Sequence, residues 1–242
     1  MKRRNLKTTQ YDLISSCQWS IMMLAKEISA LIKKDIQLEL KQRYAINSIL
    51  LYVVATIFIA YMAFQGEIEV KSWNALFWII MLFSAINALS KSFVQESPAR
   101  HIYYYSMTSP QAVIVSKTIY NSILMMIISL LTFGIYQLFL GNIIKDYSLF
   151  LGALLLGSLG FATILTLVAA IASRSNNNFA LMSILSFPLI LPLLLSLMKA
   201  SNLALEQTSN GMAGMKILGA LFFLNVIVIT LSYILFPYLW RN

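Results

Sequence analysis

Residue types that carry chemistry are scarce in this 242-residue sequence, and their spacing argues against a reaction centre. The only histidine, His101, could ligate an iron or relay a proton, yet it stands among polar residues with no second ligand at a metal-binding interval. A structural role for it is the simpler reading. The only cysteine, Cys17, excludes an intrachain disulfide and a paired-cysteine metal site. No His-Glu-x-x-His pair and no Gly-x-x-x-x-Gly-Lys loop occurs, so neither a metalloprotease site nor a Walker-type ATP site is encoded. The expectation is a non-catalytic chain that binds no cofactor directly and takes any energy it uses from another subunit.

Recognition is better served than reaction. The stretch Lys91–Pro110 holds Glu96, Arg100, Ile102, Tyr103, Tyr104, Tyr105 and Met107, and is too polar to span a bilayer but too aromatic for a plain linker. Pro98 can open a short helix ending near Met107, and Ser109-Pro110 reads as the start of the next helix, serine as cap and proline first. Tyrosine and methionine suit a partner's groove, and tyrosine also suits a lipid interface, so docking and anchoring are both open on residue type alone. Pro188 and Pro192 lie four apart on one helical face, each removing a backbone hydrogen bond, and predict a kink. Ala153 and Gly157, with Ser158, Ala162, Thr166 and Ala170, place small residues at steps of four, a pattern that lets membrane helices approach closely.

These residues sit in a chain that is 59% hydrophobic and only 11% charged, far from the roughly 25% charge of soluble domains. Six apolar runs reach the ~20 residues that a bilayer crossing needs: 45–64, 72–90, 118–140, 147–173, 179–198 and 217–240. None contains a charged residue. The predicted fold is all-α, a polytopic membrane protein with six transmembrane helices. Residues 20–43 precede them as an amphipathic interfacial helix, with Leu24, Ile28, Ile32, Ile36 and Leu40 in steps of four, Ile21 and Leu31 widening the stripe, and Lys26, Lys33, Lys34 and Lys41 on other faces. The net charge of +9 is no nucleic-acid signal, because nine of the 18 basic residues precede Ala45 and suit anionic lipid. With the N-terminus inside, alternate loops divide the basic residues 14 to 4, so both termini are expected in the cytoplasm. That compartment keeps Cys17 reduced. The longest connections are expected at Lys91–Lys117 inside and Lys199–Lys216 outside. No cleavable signal peptide is expected, since a polar stretch follows Lys2, Arg3 and Arg4.

Three stretches resemble the CcmB family of haem-exporter permeases, membrane subunits of the ABC-2 type. They are Lys33-Lys-Asp35-Ile-Gln-Leu-Glu39-Leu, the run from Phe93-x-x-Glu96 through Tyr103–Tyr105 and Ser109-Pro110 to Lys117, and Phe187-Pro188-Leu-Ile-Leu-Pro192 with Arg174 before it. The chain departs from the family at Ser97-Pro98-Ala99, where a glycine is common. The resemblance implies an N-terminal segment 1–43, a six-span domain 44–242 in the bacterial inner membrane, and a coupling loop 91–117. On that loop Glu96, Arg100, Ile102, Tyr103, Tyr104, Tyr105 and Met107 would meet the ATPase. It implies a CcmA-like ATPase that binds ATP, CcmC-like and CcmD-like membrane partners, a CcmE-like haem chaperone, and haem as candidate cargo in cytochrome c biogenesis. An ABC-2 permease for another cargo, such as a drug or glycan lipid, and a non-transporting scaffold fit the same residues.

Overall fold

The computed structural model describes residues 23–39, 43–65, 68–90, 108–173, 178–206 and 211–241. Among them there are seven helices and no strand. Helix α1 covers 23–39; α2 is Arg43–Phe64, α3 Val70–Leu89, α4 Pro110–Leu140, α5 Tyr147–Ala172, α6 Asn178–Glu206 and α7 Gly211–Arg241. Helices α2 to α7 are long and apolar enough to cross a bilayer, and they coincide with the six expected spans. The protein is an all-α, multi-pass membrane protein.

Local chemistry sets the helix ends. Pro110 occupies the first turn of α4, where its missing N–H costs nothing. Gly141 closes α4 with φ +78°, a conformation open to glycine and strained for other residues. Asp146 caps α5: its carboxylate accepts from the backbone N–H of Ser148 and Leu149, each at 3.1 Å, and from the Ser148 hydroxyl at 2.8 Å.

Two sequence expectations need correction. Helix α4 starts at Pro110, as Ser109-Pro110 predicts, so the span expected from Thr118 extends back by two turns and carries the buried Lys117 inside it. The outer connection expected over Lys199–Lys216 is mostly helix, since α6 runs to Glu206 and α7 starts at Gly211. Ala200, Ser201, Ala204 and Leu205 are buried, while Lys199 and Lys216 point outward at helix ends, where long side chains reach the headgroups. Helix α6 continues unbroken through Pro188 and Pro192, and both prolines are exposed on its outer side.

Helix α5 is the hub, packed against α3, α4, α6 and α7. The small residues at its steps of four, Ala153, Gly157, Ser158, Ala162, Thr166 and Ala170, are all buried, as close approach requires. A Cβ on Gly160 would come within 2.7 Å of a Leu193 methyl and 3.1 Å of the Asn225 amide oxygen. Neutral polar bonds fasten the other helices. Asn74 of α3 donates to the Asn202 side chain of α6 at 2.7 Å, and the Trp78 indole donates to Ser201 at 2.9 Å. Asn121 of α4 donates to Thr166 of α5 at 2.8 Å, and Asn225 of α7 donates to the Leu156 carbonyl at 3.1 Å. Between α3, α4 and α5 an aromatic cluster fills the core, with Tyr136 standing edge-on to Trp73 at 4.9 Å and donating to its carbonyl at 2.8 Å.

Two outcomes are expected. Gly160→Leu drives a branched side chain into Leu193 and Asn225 and costs several kcal/mol, on the order of 3; Gly219→Ala, with nothing within 4 Å of the new methyl, gains up to about 1 kcal/mol. Thermal unfolding in detergent separates them. The backbone N–H of Leu149, with Ser148, holds the Asp146 carboxyl below its ordinary pKa. A depressed carboxyl stabilises the fold above its unfolded pKa, and that contribution is lost as pH falls through the folded value. Asp146→Asn keeps the cap without titrating, so the melting temperature of the unsubstituted chain falls relative to Asp146→Asn below the carboxylate range; parallel melting curves at all pH values would contradict the capping role.

Candidate functional site

The first two turns of α4 form the most unusual site among the described residues, because two acids of α1 close on them. The Glu27 carboxylate accepts from the Ser109 hydroxyl at 2.9 Å and from the Ser109 backbone N–H at 3.3 Å. Ser109 is the residue before α4 and makes no side-chain cap of its own. Its hydroxyl is turned to α1, and a carboxylate is set at the positive end of the α4 dipole, where anions are favoured. Eight residues on, Lys117 Nζ lies 3.3 Å from Asp35 Oδ1, with both side chains buried. Lys34 Nζ approaches the same oxygen at 3.4 Å, so two ammonium groups share one carboxylate oxygen.

The spacing fixes how the helices lie. Each contact joins residues 82 apart in sequence, and the two contacts are eight residues apart on both helices, about 12 Å at 1.5 Å per residue. A constant offset means that α1 runs alongside the start of α4 in the same direction. Helix α4 has 31 residues, about 46 Å of length, and outruns the ~30 Å hydrocarbon core.

The face that α1 packs is the Leu31 side of the expected stripe: Leu31 is buried, Ile28 packs against the core and Leu24 and Ile32 are half-buried, while Ile36 is exposed. The addition is Asp35, which is buried on this face beside its counter-charge Lys117. Lys26 and Lys33 remain exposed, as the amphipathic reading requires.

The candidate coupling residues Glu96, Arg100, Ile102, Tyr103, Tyr104, Tyr105 and Met107 lie outside the described residues, as do His101 and Cys17. Pro188 and Pro192 are described, and sit on a different helix, facing away from the core. Glu27, Asp35, Ser109 and Lys117 are therefore the functional candidates that residue-by-residue reading leaves unjoined. Asp35, Ser109 and Lys117 stand in the stretches that carry the family resemblance, and the matching eight-residue intervals are the sequence signal that pairs them with one another and with Glu27. Among the described residues no group of three His, Cys, Asp or Glu side chains could hold a metal ion.

The family model described as CcmB protein matches residues 26–235, from within α1 to near the end of α7. The chain belongs to the CcmB family. No curated protein matches it. As a CcmB-family chain it is a membrane component of the haem-export and cytochrome c maturation ABC system, a transporter permease subunit and not itself an enzyme. The match takes in both sides of the α1–α4 contact, including Glu27 and Lys117.

Removing one partner of a buried ion pair costs about 3–5 kcal/mol when the other is stranded. After Lys117→Met, Asp35 still has Lys34, so the loss falls at or below the lower end of that range. Asp35→Asn combined with Lys117→Met is expected to destabilise by at least about 1 kcal/mol less than the two single changes added together. Additivity to within about 0.5 kcal/mol, measured by unfolding in detergent, would mean that this pair does not fasten α1 to α4.

Proposed function

We propose that this chain is the permease subunit through which a separate ABC ATPase drives haem export or the release of a loaded haem chaperone. Residues 91–109, the part of the expected 91–117 loop that precedes α4, serve as the docking loop, and α1 passes the movement on. The supporting observation is the paired contact of Glu27 with Ser109 and Asp35 with Lys117, which ties α1 to the end of α4 that the loop enters. A push on the loop arrives at Ser109, and two contacts about 12 Å apart resist a tilt of α4 independent of α1. Coupling of this sort is rigid-body switching of packed helices.

In this reading the N-terminal segment 1–43, the loop 91–117 and the C-terminus lie in the cytoplasm of a bacterial inner-membrane protein, supported by the 14 to 4 division of basic residues. The six-span domain 44–242 carries the movement across the bilayer. The ATPase is CcmA-like, CcmC-like and CcmD-like chains complete the membrane complex, and a CcmE-like chaperone meets the outer face. Haem is the cargo or the chaperone's load, a substrate and not a resident group. Glu96, Arg100, Ile102 and Met107 border the Tyr103–Tyr105 run and form the ATPase-facing surface with it, while Pro188 and Pro192 give α6 freedom to bend.

Deleting the gene is expected to abolish holo-cytochrome c, scored by haem staining, and a plasmid copy restores it. Replacing Tyr103, Tyr104 and Tyr105 together by alanine is expected to release the ATPase during purification while the chain still inserts in the membrane. Normal cytochromes in the deletion strain would refute the assignment, and full retention of the ATPase would remove the docking role from this loop.

A further inference from the structure

A groove of about 540 Å³ lies between α4 and α7 with α5 as its floor, and it plays no part in the contacts described above. Its lining runs along α4 from Ile114 to Met126 and meets Leu159 and Thr163 of α5 and Ile229 to Tyr233 of α7. Every serine and threonine in it is already bonded to its own helix. Thr118 donates to the Ile114 carbonyl at 2.8 Å, Ser122 to Thr118 at 2.7 Å, Thr163 to Gly160 at 3.1 Å, Thr230 to Val226 at 2.8 Å and Ser232 to Val228 at 2.9 Å. The hydroxyl protons are consumed, so these side chains present little more than methyl and methylene surface; no carboxylate, ammonium, guanidinium or imidazole lines the space, and its one other polar group is the Tyr233 phenol on the rim. Ile119, Ile123, Ile229 and Tyr233 on its rims are exposed, so it opens sideways toward the bilayer.

Its dimensions select the occupant. Ile114 to Met126 is twelve residues of helix, about 18 Å. That is close to half of the ~30 Å hydrocarbon core. Leu159 lies midway along α5, so the groove begins at the end of the bundle that carries α1 and stops near the bilayer midplane. A partner's transmembrane helix would cross the full depth of the bilayer, whereas this groove ends part-way along α4 and α5. We infer that the groove between α4, α5 and α7 binds an acyl chain of a phospholipid from the leaflet on the α1 side, held by shape and apolar contact.

The test uses the full chain in phosphatidylcholine vesicles in which one acyl chain carries a photoactivatable diazirine, with adducts mapped by mass spectrometry. Labelling per residue at Ile119, Ser122, Ile123 and Met126 is expected to exceed, several-fold, that at Leu51, Phe58 and Ile59, which are at least as exposed on α2. Thr230→Phe, on an exposed rim position, should bring groove labelling down to the α2 level without changing the melting temperature. Equal labelling of the two faces in the unsubstituted chain would overturn the proposal. So would efficient disulfide dimers of Ile123→Cys in a Cys17→Ser background, which would give the groove to a second copy of the chain.

Discussion

Taking a carboxylate and an ammonium out of water costs several kcal/mol each, so the burial of Asp35 and Lys117 is conditional on their contact at 3.3 Å. Much of the α1 end of the molecule follows from that condition. Lys117 can lie inside a candidate span only because an acid from a separate helix reaches it, and α1 must therefore lie along α4. Once it does, Glu27 falls beside the start of α4, where a negative charge meets unpaired backbone N–H groups. The second contact is thus nearly implied by the first, since both helices rise at the same rate per residue.

The opposite end is held by different means. There Asn74, Trp78, Ser201 and Asn202 bond neutral groups across α3 and α6, and the backbone N–H groups of Lys145 and Asp146 both donate to the Ala204 carbonyl at the end of α6. Aromatic rings of α3, α4 and α5 stack through the space between. Neutral interhelical bonds in a membrane contribute about 0.6 kcal/mol each, and the ring packing around them adds to the hold on this end. At the α1 end charged contacts join α1 to α4, and α4's far flank borders the groove.

Sequence periodicity and length were enough for the six spans, because a run of twenty apolar residues has few other fates. They failed where a charge is rescued by tertiary contact. Lys117 interrupts the apolar run, so α4 reads as starting at Thr118, although Ser109-Pro110 already marks the true start. Lys199 and Lys216 cut the outer ends of α6 and α7 in the same way, while Ala200, Ser201 and Ala204 beyond the cut are buried against neighbours. For α1 the apolar pattern gives the helix and, through Ile28 and Leu31, most of its packed side, but no hydrophobicity rule turns Asp35 inward. Asp35, Glu39 and Lys117 stand out one at a time in the sequence, and only the fold supplies the offset of 82 residues that joins two of them.

The contacts of α4 change along its length. Past Lys117, Asn121 bonds Thr166 of the hub helix one turn further along. The turns before it meet α1 at Ser109 and Lys117, while their Ala112, Val113 and Ile114 also belong to the buried core. The groove lies along this same stretch, from Ile114 to Met126. An acyl chain there would shift or leave at far smaller cost than an interlocked side chain, which in a close-packed interior resists even a methylene's change in volume. If, as proposed above, an acyl chain fills the groove and a displacement enters at Ser109, the two would be linked, and a change in either would shift the other by the same free energy.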